Sequence, residues 1–197
     1  MRRLKAPQRR EQLIEVATKL FAKFGYEATT TFKIAEAAGV TEPILYRHFE
    51  TKQEMFVAIV RSVSEQTMAS WREIIDGETD PAQQIRRIAE AVPGHIKQLA
   101  DAYHVLHGAL ATSRDKKVLA VMKEHYAQYE DFFTRIIERG QAMGVFRPQL
   151  DPKGLAWQLI MTGIGYAMIT LNLQPIEQNL IKGSIESILR GMSVIKV

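Results

Sequence analysis

Apolar residues recur at helical spacing along almost the whole chain, and signals for β-strands are nearly absent. In the first segment they follow an i, i+3, i+4, i+7 stripe made of Leu13, Ile14, Ala17, Leu20, Phe21 and Phe24. No Asn-Gly or Asp-Gly turn links two alternating runs, as a β-hairpin would require. The pattern therefore predicts an all-α fold.

Glycine and proline residues divide this pattern into nine predicted helices. Breaks fall at Gly25, Gly39, 77–81, Pro93-Gly94, 144–152 and Pro175. The predicted helices lie near residues 7–24, 31–38, 42–48, 52–75, 81–91, 94–112, 115–143, 151–172 and 175–194.

One predicted helix is long and uncharged. Residues 154–176 contain no charged side chain, so by length alone this segment would suffice to cross a membrane. Polar residues interrupt it, however, and no aromatic belt or basic flank frames it. A helix buried in a protein core or subunit interface, with no membrane partner, fits the segment better.

The two short helices near 31–38 and 42–48 carry the spacing of a helix-turn-helix. Ala35 is small enough for two helices to cross closely, Gly39 permits the sharp turn, and Leu45 closes the small core. The outward side of the second short helix carries groups that can contact phosphates or base edges, namely Glu42, Tyr46, Arg47 and His48.

The positive charge of the chain is concentrated at its N-terminus. The net charge is +4, and residues 1–52 hold 10 Lys and Arg against 6 Asp and Glu, whereas the rest of the chain is neutral. The first ten residues contribute Arg2, Arg3, Lys5, Arg9 and Arg10 and no acid. A basic arm on a neutral body favours a polyanionic partner, with a solvated tail as the alternative.

Together these residues resemble the TetR family of bacterial transcriptional repressors. The resemblance covers roughly residues 9–56 and rests on Thr30-Thr31, Ile34-Ala35, Ala38-Gly39-Val40-Thr41, Leu45-Tyr46-Arg47-His48-Phe49 and Lys52, with Ile14, Ala17, Leu20-Phe21 and Gly25-Tyr26 upstream. It implies an N-terminal three-helix DNA-binding domain, residues 1–51, and a larger C-terminal helical domain for ligand binding and dimerisation, residues 52–197.

The resemblance also implies which residues meet operator DNA. Phosphates would be contacted by Thr31, Tyr46, His48 and Lys52, and bases by the start of the recognition helix at Thr41, Glu42 and Pro43. Arg47 would bind a guanine edge or a phosphate, and Lys33 completes the set. Phe32 stands where many relatives place a polar or basic residue, which leaves packing against a thymine methyl group as the contact open to it.

Sequence patterns typical of catalysis are missing. The chain has no cysteine, no His-Glu-x-x-His motif, no Walker A loop and no Gly-x-Ser-x-Gly elbow. His104 and His107 lie three residues apart, and we interpret them as polar lining of a pocket or as part of an exposed helix face rather than as metal ligands. We therefore expect no enzyme activity, no cofactor and no metal.

The C-terminal segment is rich in methionine and aromatic residues, which suit an adaptable pocket for a largely apolar effector. The alternative is that most of them are simply core. The predicted effector-binding residues are Trp71, Tyr103, His107, Met122, Tyr126, Tyr129, Phe133, Trp157 and Met161.

The last predicted helix carries a seam with alternating steps of four and three, formed by Ile181, Ile185, Ile188 and Met192. Small residues lie beside it at Ser184, Ser187 and Gly191. The seam predicts a homodimer built on a four-helix bundle, with packing inside one chain as the alternative.

These observations predict a ligand-responsive DNA-binding regulator. We expect it to be cytoplasmic, because no apolar secretory region follows the basic start. Its partners would be double-stranded operator DNA with a palindromic sequence, a small-molecule effector that releases a repressor from DNA, and a second copy of the chain. One alternative keeps the DNA binding without an inducer. Another is a helical ligand-binding protein or enzyme that does not bind DNA.

Overall fold

The computed structural model describes residues 5–194 and forms nine helices across that range. They are α1 (Ala6–Phe24), α2 (Thr31–Ala37), α3 (Glu42–Tyr46), α4 (Lys52–Ile74), α5 (Pro81–Gln98), α6 (Ala100–Thr112), α7 (Lys116–Ala142), α8 (Pro152–Asn172) and α9 (Gln178–Met192). Extended backbone pairs within this range at a single isolated bridge, between Phe146 and Ser193. The predicted all-α class is confirmed.

The chain divides into two compact units, each assembled from separate stretches of sequence. The first comprises residues up to 63 and 99–124, and the second comprises 64–98 and residues from 125 onward. Helices α4 and α7 each contribute residues to both units. The boundary expected after residue 51 separates a DNA-binding domain from a domain for effector binding and dimerisation, whereas these units are defined by compactness alone. The functional boundary stays a prediction.

In the first unit, α1 to α3 enclose a small apolar core. Leu13 and Phe21 of α1, Ile34 of α2 and Leu45 of α3 are buried, as their spacing predicts. Between α2 and α3 the chain turns at Gly39, whose φ of 66° lies in the left-handed region that side chains disfavour. The helix-turn-helix predicted from the sequence is therefore present.

The two short helices begin differently. Thr30 caps α2, because its hydroxyl oxygen accepts a hydrogen bond from the backbone N–H of Lys33 at 3.2 Å. Thr41 precedes α3 without a side-chain cap, and only its carbonyl accepts, from the amides of Ile44 and Leu45. The Thr41 hydroxyl therefore makes no capping bond that would compete with a DNA contact.

The helix break predicted at Pro93-Gly94 is wrong. Helix α5 runs through Pro93 to Gln98, and the chain breaks at Leu99 instead. A proline inside a helix costs about 3 kcal/mol. However, Ile85 and Ile88 before it and Ile96 after it are all buried, and each contributes roughly 1.5–3 kcal/mol by burial. Continuous packing along α5 therefore outweighs the proline.

After α7 the chain folds back sharply in the second unit. The amides of Val145 and Phe146 both donate to the carbonyl of Gly140, at 2.9 and 3.1 Å. The fully buried Phe146 ring lies so close to Gly140 that a Cβ atom there would overlap it. The Arg147 amide donates to the carbonyl of Met192 at 2.8 Å, which joins this turn to the end of α9.

Candidate DNA-binding surface and effector site

Three of the predicted DNA-binding residues form one hydrogen-bonded cluster. The Thr31 hydroxyl donates to Oε1 of Glu42 at 2.7 Å and lies 3.1 Å from the Tyr46 hydroxyl. Because its only proton is directed to Glu42, the Thr31 oxygen accepts from Tyr46. The cluster ties the start of α2 to both ends of α3.

The other candidates around α3 are accessible. Thr41, Pro43 and Arg47 are exposed and His48 is half-buried. Lys33 on α2 is also exposed, and its ammonium donates to the carbonyl of Ala28 at 3.3 Å. This surface therefore offers hydroxyl, imidazole, guanidinium and ammonium donors to a polyanion.

Lys52 has an intramolecular role that its sequence position did not reveal. Its ammonium donates to the carbonyl of Tyr26 at 2.8 Å and lies 4.3 Å from the centre of the Tyr26 ring. The start of α4 is thereby fixed to the loop between α1 and α2. An ammonium carries three donors, so the predicted phosphate contact is compatible with this bond and stays a prediction.

The structure describes the predicted basic arm from Lys5 onward. Arg2 and Arg3 lie outside the described residues, whereas Lys5, Arg9 and Arg10 lie within them. The guanidinium of Arg10 lies 4.7 Å from the centre of the buried Phe49 ring. A positive charge is thus held beside the core of the three-helix region.

The helix-turn-helix segment matches a known family. Residues 13–59 match the family described as "Bacterial regulatory proteins, tetR family". The HTH-type transcriptional repressor KstR2 of Mycobacterium tuberculosis is 27% identical over 147 residues, covering 73% of this chain and 72% of that protein. Residues 13–59 are therefore a DNA-binding segment of the TetR type. The chain is accordingly a DNA-binding transcriptional regulator.

Other relatives differ in their named roles. The HTH-type transcriptional activator FasR of Mycolicibacterium smegmatis is 32% identical over 104 residues, covering 53% of this chain and 48% of that protein. A regulator from Saccharomonospora viridis, solved in complex with choline, is 18% identical and superposes with a TM-score of 0.79 over 96% of this chain and 100% of that one. The latter likeness shows that the fold extends through the C-terminal helices.

Several predicted effector residues meet in the second unit. The Trp71 ring centre lies 4.6 Å from that of Tyr129 and 5.0 Å from that of Phe133. The Tyr126 and Trp157 rings lie 6.4 Å apart. Sequence spacing therefore located a real aromatic cluster, although its role in effector binding stays a prediction.

His125 also lies in this cluster, although it was not among the predicted effector residues. Its ring centre lies 4.4 Å from that of Tyr129, and its Nδ1 lies 2.5 Å from the Ser64 hydroxyl oxygen. Its Nε2 is buried and has no partner among the described residues. Burial lowers the pKa of His125 to about 4. Spacing offered a signal, because His125 lies three residues after Met122 and four before Tyr129 on the buried stripe of α7.

The burial of His125 predicts a loss of stability in mild acid. The unfolded chain takes up a proton at this histidine below about pH 6.5, whereas the folded chain keeps it neutral until about pH 4. The free energy of unfolding should therefore fall between these values, by about 2 kcal/mol at pH 5 from His125 alone. Urea denaturation at pH 7 and pH 5 measures the loss.

A matched variant isolates the effect. His125→Gln should show a smaller loss between pH 7 and pH 5, since glutamine does not titrate. Equal losses in the wild type and His125→Gln would contradict the assignment.

Three predicted effector residues lie in the first unit. The Tyr103 and His107 rings are 5.9 Å apart on α6, and Met122 is buried on α7. Burial, and then the nearby charge of His104, lowers the pKa of His107 to about 4. Nowhere in the described part of the chain do three or more His, Asp or Glu side chains cluster in a way that could hold a metal ion.

Met161 does not join either group. Its side chain is 56% exposed on α8, so the single chain gives it no buried pocket to line. Its assignment as an effector residue finds no support in this structure.

The seam predicted on the last helix faces mostly inward. Ile181, Ile185 and Met192 are buried within the chain, and only Ile188 is half-buried. The neighbouring helices α5 and α8 of the same unit pack against α9. The alternative of packing inside one chain therefore holds for three of the four residues, which corrects the expected interface.

The face of α9 beside this seam is exposed together with part of α8. Ser184, Ser187 and Gly191 are exposed, and so are Met168 and Ile169 of α8. Helix α8 is long and apolar enough to cross a membrane, yet only 33% of its most apolar stretch is buried. The second unit thus presents apolar surface that a single chain leaves uncovered.

Proposed function

We propose that this protein is a cytoplasmic repressor, without enzyme activity, that binds a palindromic operator as a homodimer and is released by a small molecule. The observation that carries the proposal is the accessible cluster of Thr31, Glu42 and Tyr46. It presents the start of α2 and the whole of α3 as one preformed surface, which lowers the entropic cost of binding DNA.

The uncovered surface of α8 and α9 supports the homodimer. Two such helix pairs related by a two-fold axis would form a four-helix bundle, with the small residues of α9 allowing close approach. Two recognition helices about 34–36 Å apart would then enter successive major grooves on one side of the DNA. This arrangement would require the operator to be palindromic.

The aromatic cluster and His125 support a largely apolar effector with one polar group. Aromatic and methionine side chains would bind the apolar part, and the free Nε2 of His125 would hydrogen-bond the polar group. One solved relative is named as a ketosteroid transcriptional regulator and another binds choline. An effector that prefers a conformation with a different head spacing would weaken DNA binding by population shift.

Selection of random DNA with the purified full-length protein tests the proposal. We expect an enriched palindrome whose binding weakens steeply as salt rises, because phosphate contacts release counterions. A chain that enriches no sequence would favour the ligand-binding protein or enzyme without a DNA role. A thermal-shift screen then separates an inducible repressor from one that has no inducer.

Tyr46, the last residue of α3, and Arg47, directly after it, should affect DNA binding differently. Tyr46→Phe removes one neutral hydroxyl per subunit, whose proton would turn from the Thr31 oxygen to a phosphate in the complex. Because one hydrogen bond is exchanged for another, operator binding should weaken about tenfold, or ~0.7 kcal/mol per subunit, with an unchanged salt slope. Arg47→Ala removes a charge, and if Arg47 contacts phosphate the slope should fall by about one counterion per subunit. Titrations at several salt concentrations distinguish the two.

Thermal melts of both variants provide the control, since both side chains are exposed. Unchanged operator affinity in both variants would show that α3 is not the recognition helix.

A further inference from the structure

Phe32 is an exposed aromatic residue on the DNA-binding surface. The residue is 60% exposed in the first turn of α2. A phenyl ring in water contributes little to the stability of the folded chain, since apolar side chains stabilise by leaving water. The ring is therefore free to contact a partner of the DNA-binding surface.

Phe24 offers a useful contrast on the same surface. It is also an exposed phenylalanine, at 48%, but the ammonium groups of Lys23 and Lys33 lie 5.1 and 5.8 Å from its ring centre. No such cation lies over the Phe32 ring among the described residues. Of these two exposed rings, Phe32 is the one that remains available to a partner.

The position of Phe32 relative to α3 is fixed by its neighbour in the chain. Thr31, directly before it, bonds to Glu42 at the start of α3 and to Tyr46 at its end. Because these bonds hold the start of α2 against α3, placing α3 in the major groove brings the backbone of Phe32 beside that groove.

The chemistry of the ring then limits what it can contact. A phenyl group has no hydrogen-bond donor or acceptor, so phosphates and the polar base edges offer it nothing. The apolar group that bases present in the major groove is the 5-methyl group of thymine. We propose that Phe32 packs against a thymine methyl in each half-site and so determines specificity at that position. The proposal rests on the proposed operator binding.

Removing single methyl groups from the DNA tests this contact. In the selected operator, each symmetric pair of thymines is replaced in turn by deoxyuridine, which lacks only the methyl. Affinities are measured by fluorescence anisotropy for the wild type, Phe32→Ala and the matched control Phe24→Ala. Thermal melts confirm that the variants are folded.

At one thymine pair, the wild type should bind about fifteenfold more weakly to the deoxyuridine operator, from about fourfold for each buried methyl group. Phe24→Ala should show the same loss. Phe32→Ala should bind the thymine operator and the deoxyuridine operator equally. Its affinity for both should match the weakened affinity of the wild type for the deoxyuridine operator.

Three results would overturn the inference. A deoxyuridine penalty that survives in Phe32→Ala assigns the methyl contact to another residue. No penalty at any thymine in the wild type, or a loss in Phe32→Ala that is independent of thymine, shows a backbone or wedge contact instead. Failure to select any operator would be recognised earlier, and would remove the proposed function together with this inference.

Discussion

Ile188→Asp should leave the chain folded, convert a dimer into single chains and reduce operator affinity by about 100-fold or more. Ile188 is half-buried at the border between the internal seam of α9 and its exposed small-residue face. In a two-fold bundle, an unpaired carboxylate there would face its symmetry mate, at a cost of several kcal/mol. Loss of the dimer removes the avidity of two linked half-sites, typically 10²- to 10⁴-fold.

Light scattering at micromolar concentration measures the mass, and anisotropy titration measures the affinity. The matched control is Leu119→Asp, which places the same charge at a 43% exposed leucine on α7 and should remain dimeric. Met168→Asp on α8 should behave like Ile188→Asp if both helices form the interface. A dimeric Ile188→Asp would place the interface elsewhere, and a monomer with full affinity would refute the two-headed mechanism.

Gly140→Val should destabilise the fold by about 3 kcal/mol, at the upper end of the range for inserting atoms into a packed core. Any Cβ at position 140 overlaps the Phe146 ring, which is fully buried and cannot retreat without opening the turn after α7. Chemical denaturation followed by circular dichroism measures the loss.

A second glycine provides the opposite expectation. Gly108 lies in helix α6 with open space where a Cβ atom would project, so Gly108→Ala should stabilise the chain by roughly 0.5–1 kcal/mol.

A double variant tests the steric explanation for Gly140. Combining Gly140→Ala with Phe146→Leu should cost less than the sum of the two changes, because the smaller side chain relieves the overlap. Strict additivity would contradict the steric explanation.

Local spacing predicted the DNA-binding region well, because its core depends on residues close together in sequence. Leu13, Ala35, Gly39 and Leu45 all occupy the roles that their spacing indicates. The Pro93 break failed for a different reason, since local propensity carries no information about the buried isoleucines that hold α5 together on both sides.

The periodicity of apolar residues could not predict which residues contact each other across long sequence separations. The seam of α9 was correctly recognised as apolar, but a stripe does not reveal whether its partner is the same chain or another. For Ile181, Ile185 and Met192 the partner is the same chain. The bond between Ser64 and His125 joins residues 61 positions apart, a pairing that no local spacing specifies.

The two tryptophans of the chain allow effector binding to be followed by intrinsic fluorescence. Trp71 and Trp157 both belong to the second unit, and the first unit contains none. Trp71 is enclosed by the Tyr129 and Phe133 rings, whereas the indole N–H of Trp157 donates to Glu130 at 2.7 Å. Tryptophan fluorescence therefore arises from the unit that carries the aromatic cluster, and a spectral change on adding a compound reports on that unit without any label.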